Sequence, residues 1–418
     1  MGKNIIEKIL ARASDRREVS PGEIVEARID LAMLHENTGT PAVMAFREIG
    51  LDRVWDPSKV IVIFDHNAPA STEVAAGLHK YMRAFVKDFK IGTFYDIREG
   101  ICHQVLPEKG HVVPGQVVVG VDSHTCTYGA LDAFAAGIGS TEMAGVLSMG
   151  TLWFKVPETL KFVYKGILPE MVSPKDVILM TMGKITSEGA NYKSVEFAGP
   201  VIEAMSMGGR MTICNMAIEM GAKTGIVEAD EKTLAYIRQR TKEHFNIVKA
   251  DRDAVYENVI EFDVSKLEPQ VACPHSVDNV KSISEVEGIE IHQAVLGSCT
   301  NGRVEDLREA AEILQGKTVP IDVRLIVFPA SREVYLEALR EGIIEVLIKA
   351  GAVVCNPNCG PCCGGHEGIM AEGEVSITTF NRNFRGRMGK GGEIYLASPR
   401  VVAASAIKGR ITDPRKIK

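Results

Sequence analysis

The 418-residue sequence is poor in aromatic side chains, 6% of the total with only two tryptophans, and it carries no block of lysine or arginine. Its 48 basic and 54 acidic residues leave a formal charge of −6. Such a chain lacks the electrostatic footprint of a nucleic-acid or anionic-membrane binder, and it has few rings on which bases could stack. No apolar run approaches the roughly 20 residues of a membrane-spanning helix. The N-terminal segment reads as an amphipathic helix, with Ile5, Ile6, Ile9 and Leu10 set against Lys3, Glu7, Lys8 and Arg12. It lacks the apolar run and small-residue cleavage site of a secretory signal. No lipidation motif precedes Lys418. These absences lead us to expect a cytoplasmic protein with neither a nucleic-acid nor a membrane partner.

Cysteine is the first thing present in an informative pattern. The nine cysteines are an odd number, thinly spread, which argues against a disulfide framework. Four of them, Cys355, Cys359, Cys362 and Cys363, nevertheless fall within nine residues and point to metal or redox chemistry.

Hydrophobic residues make up 45% of the chain and charged residues 24%, an ordinary globular composition. Short Val- and Ile-rich runs at residues 60–64, 117–121, 324–328 and 351–354 read as buried strands. Helical patterns lie between them at 71–87, 141–154, 304–315 and 331–341. Alternation of this kind predicts α/β architecture with largely parallel sheets. Seams at residues 161–174, where a helix restarts at Ser173 and Pro174, and at 264–285 divide the chain into expected domains 1–165, 166–270 and 271–418.

Two strand ends carry paired acid–base residues: Asp65-His66-Asn67 and Asp122-Ser123-His124-Thr125. Ligands gather at the carboxyl ends of strands in open α/β sheets, so two Asp/His pairs in matching positions suggest one shared site. An Asp beside a His holds its pKa up, as a general acid requires. The competing reading is that Asp and Ser cap the following helix. His103, in Gly100-Ile101-Cys102-His103-Gln104, reads either as a half-buried residue or as a third member of the same cleft.

Gly297-Ser298-Cys299-Thr300-Asn301 follows an apolar run and precedes a helix near Val304. A Cys at such a turn sits in the positive end of the helix dipole, which favours thiolate. Alone it could be a nucleophile, a ligand or a small buried residue. Cys359-Gly360-Pro361-Cys362 matches a thioredoxin-type dithiol, but Gly364-Gly365 follows at once where that motif needs a long helix. The four clustered thiols could hold zinc, although adjacent Cys362 and Cys363 are awkward ligands for one tetrahedral ion. Cys359, Cys362 and the remote Cys299 suit an iron–sulfur cluster better, with one iron left open for substrate. Asn381-Arg382-Asn383-Phe384-Arg385-Gly386-Arg387 offers guanidinium forks that read as an anionic-substrate clamp or as a solvated basic loop. Gly137-Ile138-Gly139 lacks the third glycine of a dinucleotide fingerprint and follows a helix-like stretch at 131–136, so no nicotinamide site is expected.

Together these motifs resemble the aconitase superfamily, in particular the large subunits of its two-chain members, 3-isopropylmalate dehydratase and homoaconitase. The resemblance runs from Asp30 to Arg400 and includes Asp65-His66, Gly100-x-x-His103-Gln104, Asp122-Ser-His-Thr125, Gly297-Ser-Cys-Thr-Asn301, Cys359-x-x-Cys362 and Asn381-Arg-Asn-Phe-x-Gly-Arg387. A block from Met205 to Gly221 looks like the family's middle-domain signature. The resemblance implies three α/β/α domains around one 4Fe–4S cluster per subunit, ligated by Cys299, Cys359 and Cys362 with the fourth iron open. It implies reversible dehydration and rehydration of a hydroxy di- or tricarboxylate, with 3-isopropylmalate (leucine biosynthesis) the first choice and homocitrate/homoisocitrate the alternative.

By the same resemblance, His66 supported by Asp65 protonates the departing hydroxyl, His103 pairs with Asp122, and His124 pairs with Glu196. Arg382 and Arg387 clamp carboxylates, His35 and Ser123 touch substrate, and Asn381 lies by the cluster. The family's base, a Ser on a small swivel domain, has no counterpart here, so a separate small subunit carrying it and the specificity loop is the expected partner. Cys363 beside Cys362, and Tyr128 where His or Asn is more usual, depart from the pattern. Two other classes stay open: an RNA-binding relative, against which the charge of −6 speaks, and a zinc-bound structural protein.

Overall fold

Strands rich in Val and Ile on both faces need cover on both faces, and here the cover on one side is shared. In the computed structural model, which describes residues 2–417, the chain opens with β1 (Ile24–Arg28), β2 (Leu31–His35), β3 (Val60–Ile63), β4 (Thr93–Tyr95), β5 (Val117–Gly120), β6 (Phe134–Gly137) and β7 (Thr151–Lys155). Strands β2 to β6 form a parallel sheet in the order β4-β3-β2-β5-β6, while β1 and β7 pair antiparallel outside it. Next come β8 (Thr159–Lys165), β9 (Ser194–Ala198), β10 (Thr224–Ile226) and β11 (Asn258–Asp263), a parallel sheet ordered β10-β9-β8-β11.

The third sheet contains β12 (Gln270–Ala272), β13 (Val280–Ser282), β14 (Gln293–Gly297), β15 (Arg324–Phe328), β16 (Val353–Val354), β17 (Val375–Thr378) and β18 (Glu393–Leu396). Its order is β13-β12-β18-β17-β14-β15-β16, parallel except for β12 and β13. The α/β class with parallel sheets agrees with the strand–helix alternation of the sequence. Among the described residues no helix is long and apolar enough to cross a membrane.

Alternation along the strands sorts side chains between cores. Met33 and Val118 of the first sheet and Val295 of the third point into one core with Phe162 and Phe197 of the middle sheet, whereas Ala32, Leu34, Val117 and Val119 face an outer core, as do Ala294 and Leu296. Cys299, Cys359 and Cys362 belong to the shared core. Two sheets also change winding direction beside it. In the first sheet the chain runs β2, β3, β4 one way and β5, β6 the other; in the third it runs β14, β15, β16 one way and β17, β18 the other. Crevices open outside the carboxyl ends of strands at such switch points. Here they lie between β2 and β5 and between β14 and β17.

The joints between sheets are tight. The 3-10 helix Ser123–Leu131 meets the middle sheet at Gly129, where a Cβ would lie 1.7 Å from the Gly225 carbonyl oxygen. Val227 N–H donates to the Gly129 carbonyl across the same contact. Gly100 bridges to Ser331, and Ile101 N–H donates to the Ala330 carbonyl, joining first and third sheets.

Two sequence expectations differ. The helix expected over 141–154 is a helix only at Ser140–Met149; left-handed Gly150 ends it and β7 follows, with Leu152 and Phe154 buried and Trp153 and Lys155 exposed. Period two replaces period 3.6 at that glycine. The helix-like stretch 131–136 runs into strand β6, because Ala133, Ala135 and Ala136 are buried in the sheet interior, where packing overrides alanine's helical preference.

Candidate active site

Both crevices open onto one cavity of about 480 Å³, lined by His35, His66, His103, Asp122, Ser123, His124, Cys299, Cys359, Cys362, Arg382 and Arg387. Its floor is built from backbone first. Glu36, fully buried after β2, accepts the amides of Asp65, His66 and Asn67 with one carboxylate and so fixes the turn after β3. Its pKa rises through burial and through Asp65. Asp65 accepts the Cys102 amide at 2.7 Å and holds His66 Nδ1 at 2.7 Å. His66 Nε2 lies 3.4 Å from Asp122 Oδ2, and the His66 ring stacks on His35 at 3.9 Å.

The electrostatics follow from this clasp. Burial opposes charge on His66, but Cys359, Asp65 and Asp122 outweigh it and raise its pKa well above the ordinary value. Burial works against Asp65 too, yet His66 and the Cys102 amide bring it to about 2. Burial pushes His35 down to about 3, helped by its charged neighbour His66. Asp122 is held well below the usual range against burial, above all by His103, whose Nε2 sits 2.7 Å away; it also accepts the His124 amide at 2.7 Å. Asp122 thus caps its helix and binds histidines at once.

His124 does not pair with Glu196. Its Nε2 lies 2.8 Å from Glu219, which also receives Arg382 Nε at 2.8 Å. Glu196 lies between Val195 and Phe197 on β9; those two enter the shared core, so Glu196 faces the other side of the sheet. There it binds Lys161 Nζ and the Tyr256 hydroxyl and lines a separate cavity with Arg210, Glu228 and Asp230. Nothing local in the sequence marks Glu219; it reaches the site because the 3-10 turn Met216–Met220 packs against the 3-10 helix Ser123–Leu131. Asn215 Nδ2 donates to Cys299 Sγ at 3.3 Å.

The third sheet brings the cysteines and the arginines. Lys175, fully buried at the start of the helix Pro174–Ile185, donates to the Thr379 and Phe380 carbonyls at 2.7 and 2.5 Å. That anchors the turn from which Asn381 and Arg382 project. Asn381 Nδ2 lies 3.4 Å from Cys299 Sγ, and Arg382 donates to Ser123 Oγ at 3.0 Å. Arg387 donates to Cys362 Sγ at 3.2 Å, and Cys359 Sγ is 4.0 Å from His66 Nδ1. Ser298 lines the cavity at φ 65° with a buried hydroxyl that has no partner among the described residues.

All nine cysteines are free thiols. Residues 360–363 form one short 3-10 turn that left-handed Gly364 ends, which is not the long helix a thioredoxin-type dithiol needs. Cys299 is not poised as thiolate by a helix dipole, because the helix starts only at Val304 and burial followed by Cys362 raises its pKa to about 11. Sulfurs crowded this way, with amide N–H groups aimed at Cys299 and a guanidinium at Cys362, suit the holding of a metal centre as thiolates. Cys363 is exposed at the cavity, Cys355 is half-buried, and the buried Tyr128 hydroxyl donates to the Cys102 carbonyl.

The glycine segment after β6 follows a strand and opens a helix after all, but the Gly139 amide is taken by Glu142 at 2.7 Å. A carboxylate occupies the donor a phosphate would need.

Comparisons with known proteins agree on one family. The chain matches the model of the Aconitase family (aconitate hydratase) over residues 7–287 and 281–409. It is 60% identical to the probable 3-isopropylmalate dehydratase large subunit of Methanothermobacter thermautotrophicus, covering all of both chains. It is 55% identical to that organism's probable methanogen homoaconitase large subunit, covering 99% of this chain and 98% of the relative. Among solved structures, aconitase X of Thermococcus kodakaraensis in its holo form aligns with a TM-score of 0.50 at 13% identity, over 90% of this chain and 89% of that one, a likeness of fold.

Proposed function

The chain belongs to the aconitase family, and from that premise we propose that it is the large subunit of 3-isopropylmalate dehydratase, a hydro-lyase that works with a separate small subunit. The observation that carries the reading is the clasp on His66. Two carboxylates, Asp65 and Asp122, hold one imidazolium beside Cys359, in a cavity that also contains two guanidinium groups. Hydroxide is a poor leaving group and needs both a proton and an electrophile. A 4Fe–4S cluster held by Cys299, Cys359 and Cys362 would supply that electrophile as a Lewis-acidic iron.

The rest falls to the chain's own groups. His66 keeps its proton because its neighbours stabilise the cation, and Nε2 delivers it to the departing hydroxyl. Asp122 keeps His103 oriented, and Glu219 keeps His124 and Arg382 oriented. Arg382 and Arg387 bind substrate carboxylates; Arg387 Nε is buried and unpartnered among the described residues, a donor still to be satisfied. Removal of the carbon-bound proton is assigned to the small subunit.

The test is anaerobic reconstitution. The wild-type chain should turn brown with about four irons per chain, Cys359→Ser should not, and 3-isopropylmalate should be dehydrated only after the small subunit is added. A colourless zinc protein, or full turnover by this chain alone, would overturn the reading. A second test separates the two glutamates. Glu219→Gln should lower kcat of the assembled enzyme by about 100-fold, the scale of a positioned acid–base group, while Glu196→Gln stays within about twofold, as expected for a residue outside the reacting cavity. Equal losses would return Glu196 to the site.

A further inference from the structure

The turn that carries Cys299 is gripped by a buried cation. Arg303 precedes the helix Val304–Leu314 and folds its guanidinium back along the chain. Nη2 donates to the Cys299 carbonyl at 3.1 Å, and Nη1 donates to the Thr300 carbonyl at 2.7 Å. The backbone beneath it is fixed as well. The Arg303 amide donates to one Asp306 oxygen at 2.9 Å, and Asn301 Nδ2 donates to the other at 2.7 Å. The remaining edge of the guanidinium crosses between domains: Nε donates to Gln104 Oε1 at 3.1 Å, 199 positions away in the chain. Gln104 Nε2 then donates to Glu108 at 3.0 Å, and the same carboxylate oxygen accepts the Ser331 hydroxyl at 2.6 Å. Hydrogen bonds thus run unbroken from the Cys299 carbonyl to Ser331.

Gln104 follows His103 in the helix Cys102–Glu108, which is seven residues long and has no side-chain cap at its N-terminus. The His103 ring bonds Asp122 through Nε2, and its Nδ1 has no partner among the described residues. Its place in the reacting cavity therefore depends on where this short helix lies. His103 and Cys299 line that cavity, whereas Gln104 and Arg303 line a separate cavity of about 700 Å³. The pair is thus outside the space a substrate fills. A guanidinium holds its N–H groups in a rigid planar fork, which lets one side chain meet two carbonyls and Gln104 at once; an ammonium is a single point and cannot span them.

We propose that Arg303 and Gln104 are positioning residues: their hydrogen bond sets the spacing between the Cys299 turn and the helix that carries His103. The inference rests on the hydro-lyase reading and adds to it two residues that act from outside the reacting cavity. A misplacement of about 1 Å can cost on the order of 100-fold in rate, so a link that fixes this spacing carries an effect of that scale.

The experiment compares wild type with Arg303→Lys, Gln104→Met and the double variant, and its first readout needs no turnover. In the full chain, amide hydrogen–deuterium exchange of residues 102–108 should quicken in Arg303→Lys, and that of residues 298–303 in Gln104→Met. Each change should be about tenfold, the measure of one hydrogen bond to a charged group. Gln104→Met leaves Arg303 on its two carbonyls, so it decides the matter even where Arg303→Lys does not fold. In the assembled enzyme with 3-isopropylmalate, both single variants should keep about four irons. Both should lower kcat by about 10- to 100-fold at unchanged KM. The double variant should fall no more than about twofold below the lower single one, because both changes break one link. Exchange altered only in the segment that bears the substitution, losses that multiply in the double variant, or single variants with wild-type kcat would overturn the proposal and leave the hydro-lyase intact. Absence of turnover by wild type would overturn the hydro-lyase reading, and the positioning role with it.

Discussion

Replacing Asp122 by asparagine is expected to lower kcat of the assembled enzyme by about two to four orders of magnitude, the range over which a positioned acid–base group acts. The side chain is a shared anchor. One oxygen takes His103 Nε2 and the His124 amide, and the other faces His66 Nε2. Asparagine keeps the shape and can still accept one hydrogen bond, but it withdraws the negative charge that helps keep His66 protonated and fixes the His103 tautomer. The loss should fall on kcat, with cluster content unchanged, because among the described residues Asp122 makes its hydrogen bonds to histidines and none to Cys299, Cys359 or Cys362. A variant within tenfold of wild type, with its cluster intact, would remove Asp122 from the chemistry.

The second large effect concerns stability. Burial pushes the pKa of Lys175 from 10.5 down to about 7, against the pull of Cys299, Asp306 and Asp176. Its folded value is therefore depressed. Below pH 7 the folded chain must hold an ammonium in a dry site, whereas between pH 7 and about 10 only the unfolded chain keeps the proton. The unfolded state binds more protons over that window, so the contribution of Lys175 to stability rises with pH, by up to about 1.4 kcal/mol per pH unit and about 4 kcal/mol in all.

Lys175→Met lacks the titration and leaves the Thr379 and Phe380 carbonyls without their donor, each at a cost of about 1–3 kcal/mol. In urea unfolding of the metal-free chain, wild type should gain on the variant steadily from pH 7 to pH 10. A gap that does not change with pH would show that Lys175 is not desolvated as the fold implies.

Lys175 also marks where sequence reading stops. It stands at a readable helix start, after Ser173 and Pro174, yet its partners are carbonyls about two hundred positions away, and backbone acceptors leave no signature in sequence. Strand ends were legible because their chemistry is local: Asp65 with His66 is fixed by short spacing. Asp122 follows from the rule that crevices open at carboxyl ends of strands, although it accepts from the His103 ring and from the His124 amide. Glu196 was misplaced for the converse reason. A glutamate between Val195 and Phe197 carries its own answer in strand alternation, since the two neighbours define the core face. Residues 131–136 misled because alanine speaks for helix in isolation and for a tight sheet interior in context. Which histidine meets which carboxylate depended on how three sheets dock.

That docking has a mechanical side. With Gly129 lying against the Gly225 carbonyl and residues 100–101 laced to 330–331, the walls of the cleft are welded along both seams, and a methyl group at Gly129 would act as a wedge. A cradle joined in this way resists opening along those two seams. In the two-chain enzyme proposed above, opening to admit a diacid and closing to exclude water fall to the small subunit. On dilution, turnover should slow with the dissociation of the two chains, rather than be gated by any flexing of this one.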